Sequence, residues 1–200
     1  LPLITSPNLG PYIDRGEALA TGIFSNDASG FLWKGKVQSP LLEFLDFPLQ
    51  NFQSQVTVTP EGVRVEQLRA RLYTGAVKAG GVLAWDAGDR SQFEVDAQDV
   101  GLRPLMLQFD LEEIGLSGKG TFKGAVGWPG FQWKLISGQG TASYSGFFTG
   151  YGEDSRTPSL ETEGDSGKSR IPFEGRTAVM LGGETVRLNA GVVQLPESKV

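Results

Sequence analysis

The sequence predicts an all-β chain: an elongated, curved, taco- or gutter-like and mainly antiparallel sheet with an apolar concave face and one or two short helices. Three observations carry this. Apolar and polar residues alternate with period two in segment after segment, the pattern of strands with one dry and one wet face. Glycine is abundant, at 28 of 200 residues, and pairs such as Pro129-Gly130 and Gly182-Gly183 suit short strands joined by tight turns. The stretch from Glu61 to Trp85 then reads as a complete hairpin, with an inner face of small and aliphatic residues.

Leu1 to Tyr12 holds three prolines and reads as irregular chain or an edge strand. Glu17 to Ser25 alternates Ala18, Ala20 and Gly22 against Leu19, Thr21 and Ile23. Asn26 to Gly30 is a turn, and Phe31 to Ser39 a strand around Trp33. Pro40 to Phe47 predicts a short helix, with Ser39 as cap and Pro40 at its first position. So short a helix is marginal alone and must dock its Leu and Phe residues on the sheet. Phe52 to Thr59 leads into the hairpin through the turn Pro60-Glu61-Gly62. Val63 and Val65 alternate with Arg64 and Glu66; at Gln67 the phase slips by one, so that Leu68, Ala70 and Leu72 share a face. A slip of this kind is what a β-bulge produces. After Thr74-Gly75, the returning strand places Val77, Ala79, Gly81, Leu83 and Trp85 on one face.

Ser91 to Gln98 sets Phe93, Val95 and Ala97 against Glu94, Asp96 and Gln98. Pro104 to Ile114 is a second candidate helix, although Glu112 and Glu113 near its end oppose the helix dipole. Leu116 to Trp128 turns Gly118, Gly120, Phe122, Gly124, Val126 and Trp128 one way, and Ser117, Lys119, Thr121 and Lys123 the other. Gln139 to Gly146 repeats the style with Gly140, Ala142 and Tyr144. Tyr151 to Arg170 is polar and aperiodic, a flexible loop; strands resume at Ile171 to Leu181 and Glu184 to Leu195. Val63-Arg64-Val65 recurs as Val186-Arg187-Leu188, 123 residues on (186 − 63), and Val56 and Leu72 fall on Val179 and Leu195 at the same offset. A twice-repeated strand–turn–strand unit favours a repetitive β array. The expected organisation is a β-sheet segment over residues 1–150 with its core at 52–146, a loop at 151–170, and the truncated start of a second similar unit at 171–200. Neither end resembles a natural terminus, so the chain is expected to be a piece of something longer.

A net charge of −5 with both signs interspersed argues against nucleic acid as a partner, which needs a basic patch. No apolar run approaches the roughly 18 residues of a membrane-crossing helix. Histidine and cysteine are absent, which removes the commonest general base and metal ligand together and leaves any Ser nucleophile in need of a Lys base. The acidic residues Asp86, Asp89, Asp96, Asp99, Asp110, Glu112 and Glu113 have the composition of a calcium site or a glycosidase pair, but not the spacing of an EF-hand. They read as a hairpin turn and a wet strand face, so no catalytic residue and no metal or other cofactor is expected. Gly118-Lys119-Gly120-Thr121 lacks the spacing of a phosphate loop. The residues that remain are apolar: Val77, Ala79, Leu83, Trp85, Phe93, Val95, Phe122, Val126, Trp128, Ala142 and Tyr144. If the face they share stays open, it is a lipid site, and phospholipid acyl chains are the expected partners.

Gly62, Val63, Val65, Leu68, Ala70, Leu72, Tyr73 and Gly75, followed by Leu116-Ser117-Gly118 and Gly120, resemble the AsmA-like family, including the TamB-type translocation and assembly proteins of the bacterial envelope. The resemblance covers roughly Phe52 to Gly146, with a weaker echo from Ile171 to Val200. It implies a periplasmic location, anchorage to the inner membrane by a segment outside this chain, and an apolar channel that moves phospholipid towards the outer membrane or supports outer-membrane protein assembly. The family brings no catalytic residues. Two other readings stand beside it: an adhesin-like β-solenoid with a filled core, and a polysaccharide-acting enzyme, which needs carboxylates, Arg and Lys converging on one cleft. A transmembrane barrel would show regular strands of about 10 residues and aromatic girdles, which the irregular spacing lacks.

Overall fold

The computed structural model describes residues 13–28, 30–44, 47–108, 115–149, 170–183 and 185–194. Among these residues eleven strands form one antiparallel sheet. They are β1 (Ile13–Gly16), β2 (Leu19–Asp27), β3 (Gly30–Phe44), β4 (Phe47–Thr59), β5 (Gly62–Leu72), β6 (Gly75–Ala84), β7 (Arg90–Gly101), β8 (Leu116–Pro129), β9 (Ser137–Thr149), β10 (Arg170–Gly182) and β11 (Thr185–Gln194). From β3 onwards each strand pairs with the next, a meander; β1 and β2 lie end to end along the outer edge of β3. One short helix, α1 (Leu102–Gln108), and a 3-10 turn at Trp133–Leu135 interrupt the strands. Residues 1–12 and 150–169, where the irregular start and most of the polar loop are expected, lie outside the described residues.

Residues directly opposite in an antiparallel pair point to the same face. Trp33 pairs with Val58, Val58 with Val63, and Val63 with Leu83. Ala79 pairs with Val95, Ala97 with Phe122, Phe122 with Ala142, and Ala142 with Thr177. The dry faces of successive strands therefore join into one apolar face, opposite a face of Lys, Arg, Glu, Gln, Ser and Thr. Ser91 is 0 %, Trp128 4 % and Phe173 5 % exposed. Among the described residues no second sheet packs on this one, and a single layer buries side chains to that depth by curling towards them.

Bulges supply the bending. Asn51, Gln67 and Asp99 hold left-handed φ values of 51°, 51° and 55°, and the strand registers shift at each. Gln67 lies at the phase slip read from the sequence. Such conformations cost an L-residue roughly 1–2 kcal/mol, which the sheet on both sides offsets.

The helix expected over Pro40–Phe47 is absent: β3 runs on to Phe44 and β4 starts at Phe47. Leu42 pairs with Leu49 and Phe44 with Phe47, and Leu42, Leu49, Phe52 and Ala70 form a buried cluster flanked by Val37, Leu68 and Leu72. Cross-strand burial against three strands outweighs what eight helical residues gain locally. Ser39 caps nothing; its hydroxyl donates to the Glu17 carbonyl at 2.6 Å, with the Leu41 carbonyl also in reach at 2.7 Å. The second expected helix forms as α1, but starts at Leu102, ahead of Pro104; Glu112 and Glu113 lie outside the described residues. Leu102 docks on Gly120 of β8, where an added Cβ would meet its Cδ2 at 2.9 Å.

The repeat seen in the sequence is a repeat of register. Thr59↔Gly62, Val58↔Val63 and Val56↔Val65 in β4–β5 recur as Gly182↔Thr185, Leu181↔Val186 and Val179↔Leu188 in β10–β11. The bulge recurs too: the step from Gln55↔Glu66 to Gln53↔Arg69 is matched by that from Ala178↔Asn189 to Arg176↔Val192. Buried beside each bulge is one hydroxyl. Ser54 Oγ reaches the carbonyls of Gln55 and Glu66, and Thr177 Oγ1 those of Ala178 and Asn189. The preceding strands match as well. Gly22 pairs with Gly35, and Gly124 with Gly140, each pair beneath an aromatic ring, although the ring comes from the second strand in one copy (Trp33 on β3) and from the first in the other (Phe122 on β8). Strands β2–β5 thus recur as β8–β11.

Candidate functional site

The eleven sequence-derived residues can now be placed. Val77, Ala79 and Leu83 on β6, Phe93 and Val95 on β7, Phe122, Val126 and Trp128 on β8, and Ala142 and Tyr144 on β9 share the apolar face through their cross-strand pairs. Trp85 lies just past the end of β6 and closes one end of the face. Its Nε1–H donates to the Thr59 carbonyl at 2.8 Å, and its ring stacks on Phe131 at 5.5 Å. The face also takes in Trp33 on β3, and residues that alternation within single segments did not assign to the site: Val37, Phe52, Phe173 and Val179. Only the pairing partners reveal these four, because the signal is which strands are neighbours.

Aromatic rings run along the face. Phe93 stacks on Trp128 with centroids 5.7 Å apart and planes 4° apart. Phe173 lies between Phe148, at 4.6 Å, and Tyr144, at 5.9 Å. The polar groups on this face are few and mostly spent on the backbone. Ser91 Oγ accepts from the Ala84 N–H at 3.0 Å and donates to the Gly130 carbonyl at 2.7 Å. The indole N–H of Trp128 is buried without a partner among the described residues. No charged side chain joins the cross-strand pairs that carry the face. Yet most of its side chains away from the buried centre are only half-buried, and among the described elements α1 is the helix lying over it, against β7 and β8. At that end Tyr73 donates to Gln108 Oε1 at 3.4 Å, and burial pushes its phenol pKa up.

The opposite face is where charge collects. Lys119 and Asp99 approach to 3.8 Å, both largely exposed, and exposed pairs of this kind add little stability. Two open troughs cross that face. One, of about 420 Å³, is lined by Lys119, Thr121, Ser143, Glu174 and Arg176; the other, of about 570 Å³, by Gln67, Arg69, Lys78, Glu94 and Asp96. Among the described residues no three acidic side chains converge as a metal site would need. Asp86 instead accepts from the Gly88 N–H in a turn at 2.8 Å.

What fold and face define is a class: a single-layer, open antiparallel meander curled about an uncharged apolar surface. No family model, curated protein or solved structure matches the chain.

Proposed function

We propose that the apolar face solvates phospholipid acyl chains, and that the chain is a lipid-conducting or scaffold segment of an AsmA/TamB-like envelope protein working in the periplasm. The observation behind this is a continuous, uncharged and half-exposed apolar face reaching from Trp33 on β3 to Phe173 on β10. Acyl chains lie on that face while headgroups stay in water. Each buried CH₂ contributes about 0.8 kcal/mol, so part of one chain gives useful affinity and neighbouring positions offer similar energies. Near-equal sites in a row are what a conduit requires. The reading assigns no catalytic group; the bulges and glycines shape a surface rather than a cleft.

The test uses period-two alternation. A photo-crosslinker at Phe122 or Val126 is expected to capture phospholipid in cells, and one at Lys119 or Lys123, on the same strand but the opposite face, is not. Equal capture from both faces would reduce the surface to a sticky sheet and end the lipid reading. Absence of capture from either face would favour a filled β-solenoid core.

A further inference from the structure

Building on the lipid reading of the apolar face, we infer that the seat of α1 on it is an acyl-chain site, and that α1 is the plug that fills this site until lipid displaces it. Val100, Gly120 and Tyr144 lie side by side across β7, β8 and β9. Gly120 leaves a hollow between its two neighbours, and the Leu102 side chain fills it: a Cβ on Gly120 would meet Leu102 Cδ2 at 2.9 Å. Leu102 is buried, Leu105 and Met106 follow half-buried at the spacing of one helical face, and Arg103, Leu107 and Gln108 are exposed. The helix therefore brings a stripe of hydrocarbon and thioether to the sheet, close in chemistry to an acyl chain.

The connection that carries α1 is longer than its path needs. Residues 102–115 join β7 to β8, whereas residues 73–74 suffice to join β5 to β6 at the same end of the sheet. A two-residue turn closes such a hairpin, so the surplus serves something other than strand pairing. The helix is also weakly held. At seven residues it is marginal alone. Its first turn has no acidic side chain and its last turn no basic one, so nothing there complements the helix dipole. It packs mainly on β8, with a smaller contact to β7, and at its far end the Tyr73 hydroxyl donates to Gln108 Oε1 over 3.4 Å. Segments held in this way belong to the low-stability end of a structure. An acyl chain laid in the seat replaces the apolar contact that α1 gives up, and α1 regains the conformational freedom it lost on docking. Exchange between helix and lipid is therefore close to balanced, as a plug requires.

The probe is phosphatidylcholine with a photoreactive group on its acyl chain, presented in vesicles to the full 200-residue chain. Labelling is read separately at the seat, residues 118–122 and 142–146, and at the far end of the face, residues 83–85 and 126–128. The chain has no cysteine, so Tyr73→Cys with Gln108→Cys and a cleavable thiol crosslinker of matching span fastens α1 over its seat. Fastening is expected to lower seat labelling at least about fivefold and to leave the far end unchanged, and cleaving the crosslinker to restore it. Leu102→Ala clears the Gly120 hollow and is expected to raise seat labelling about threefold or more; it decides the matter if the fastened form does not fold. Equal seat labelling with α1 fastened and unfastened, no gain in Leu102→Ala, or labelling confined to the far end would each overturn the inference and leave the lipid reading standing. Labelling at neither end would remove both.

Discussion

Ser54 and Thr177 show how much a single hydroxyl settles here. Each is buried on an apolar face, and the one O–H of each has in reach both carbonyls of the cross-strand pair beside a bulge. Ser54→Ala and Thr177→Val leave those carbonyls a partner short, and each is expected to cost about 1 kcal/mol. Urea melts would show a lower midpoint at an unchanged slope; unaltered midpoints would mean the hydroxyls do not hold the bulges. Trp128 is the opposite case, because its indole N–H is buried without a partner among the described residues. Trp128→Phe keeps an aromatic ring facing Phe93 and removes the orphan donor, so stability is expected to stay within about 1 kcal/mol of the parent. Trp128→Ala is expected to cost roughly 3–5 kcal/mol through the cavity it leaves. A loss in Trp128→Phe well above about 1 kcal/mol would show that the N–H is satisfied in solution.

Among the elements, α1 seats a leucine on a glycine: a Cβ added at Gly120 meets the Leu102 Cδ2 at 2.9 Å, and a branched side chain there crowds the leucine further. Gly120→Val is expected to release α1 while leaving the strands paired, seen as loss of amide protection confined to residues 102–108. Loss of protection across β8 and β9 would show instead that the helix is integral to the sheet. The β3–β4 hairpin teaches a related lesson. Leu41, Leu42, Phe44, Leu45 and Phe47 fit helical and strand spacings alike over so short a run. Leu49, Phe52 and Ala70 on neighbouring strands decided for the strand.

At the scale of the whole molecule, the described strands run from β2 to β11 in one sheet that curls about a face without charge. Circular dichroism is expected to show mostly β structure; a helix content above about a third, the globular average, would contradict the fold. Phe122→Asp tests the face itself, because a carboxylate in an apolar channel must be solvated or neutralised. An open groove admits the water this needs, so the chain is expected to fold while lipid capture at Val126 falls. Outright unfolding would mean that the face is a packed core.

Composition and alternation determined the all-β class, the faces of β5 to β9 and the Gln67 bulge, since each is written in the spacing of neighbouring residues. The eleven proposed face residues were legible for the same reason, and the repeat at Val186-Arg187-Leu188 was visible as an offset. The tertiary structure alone decided that Pro40–Phe44 and Phe47 are strand, that Trp85 closes an end by reaching the Thr59 carbonyl, and that the repeat takes in four strands. These depend on which strands lie side by side. Pairing between strands is a long-range choice made by summed burial across the sheet, and no local window of sequence contains it.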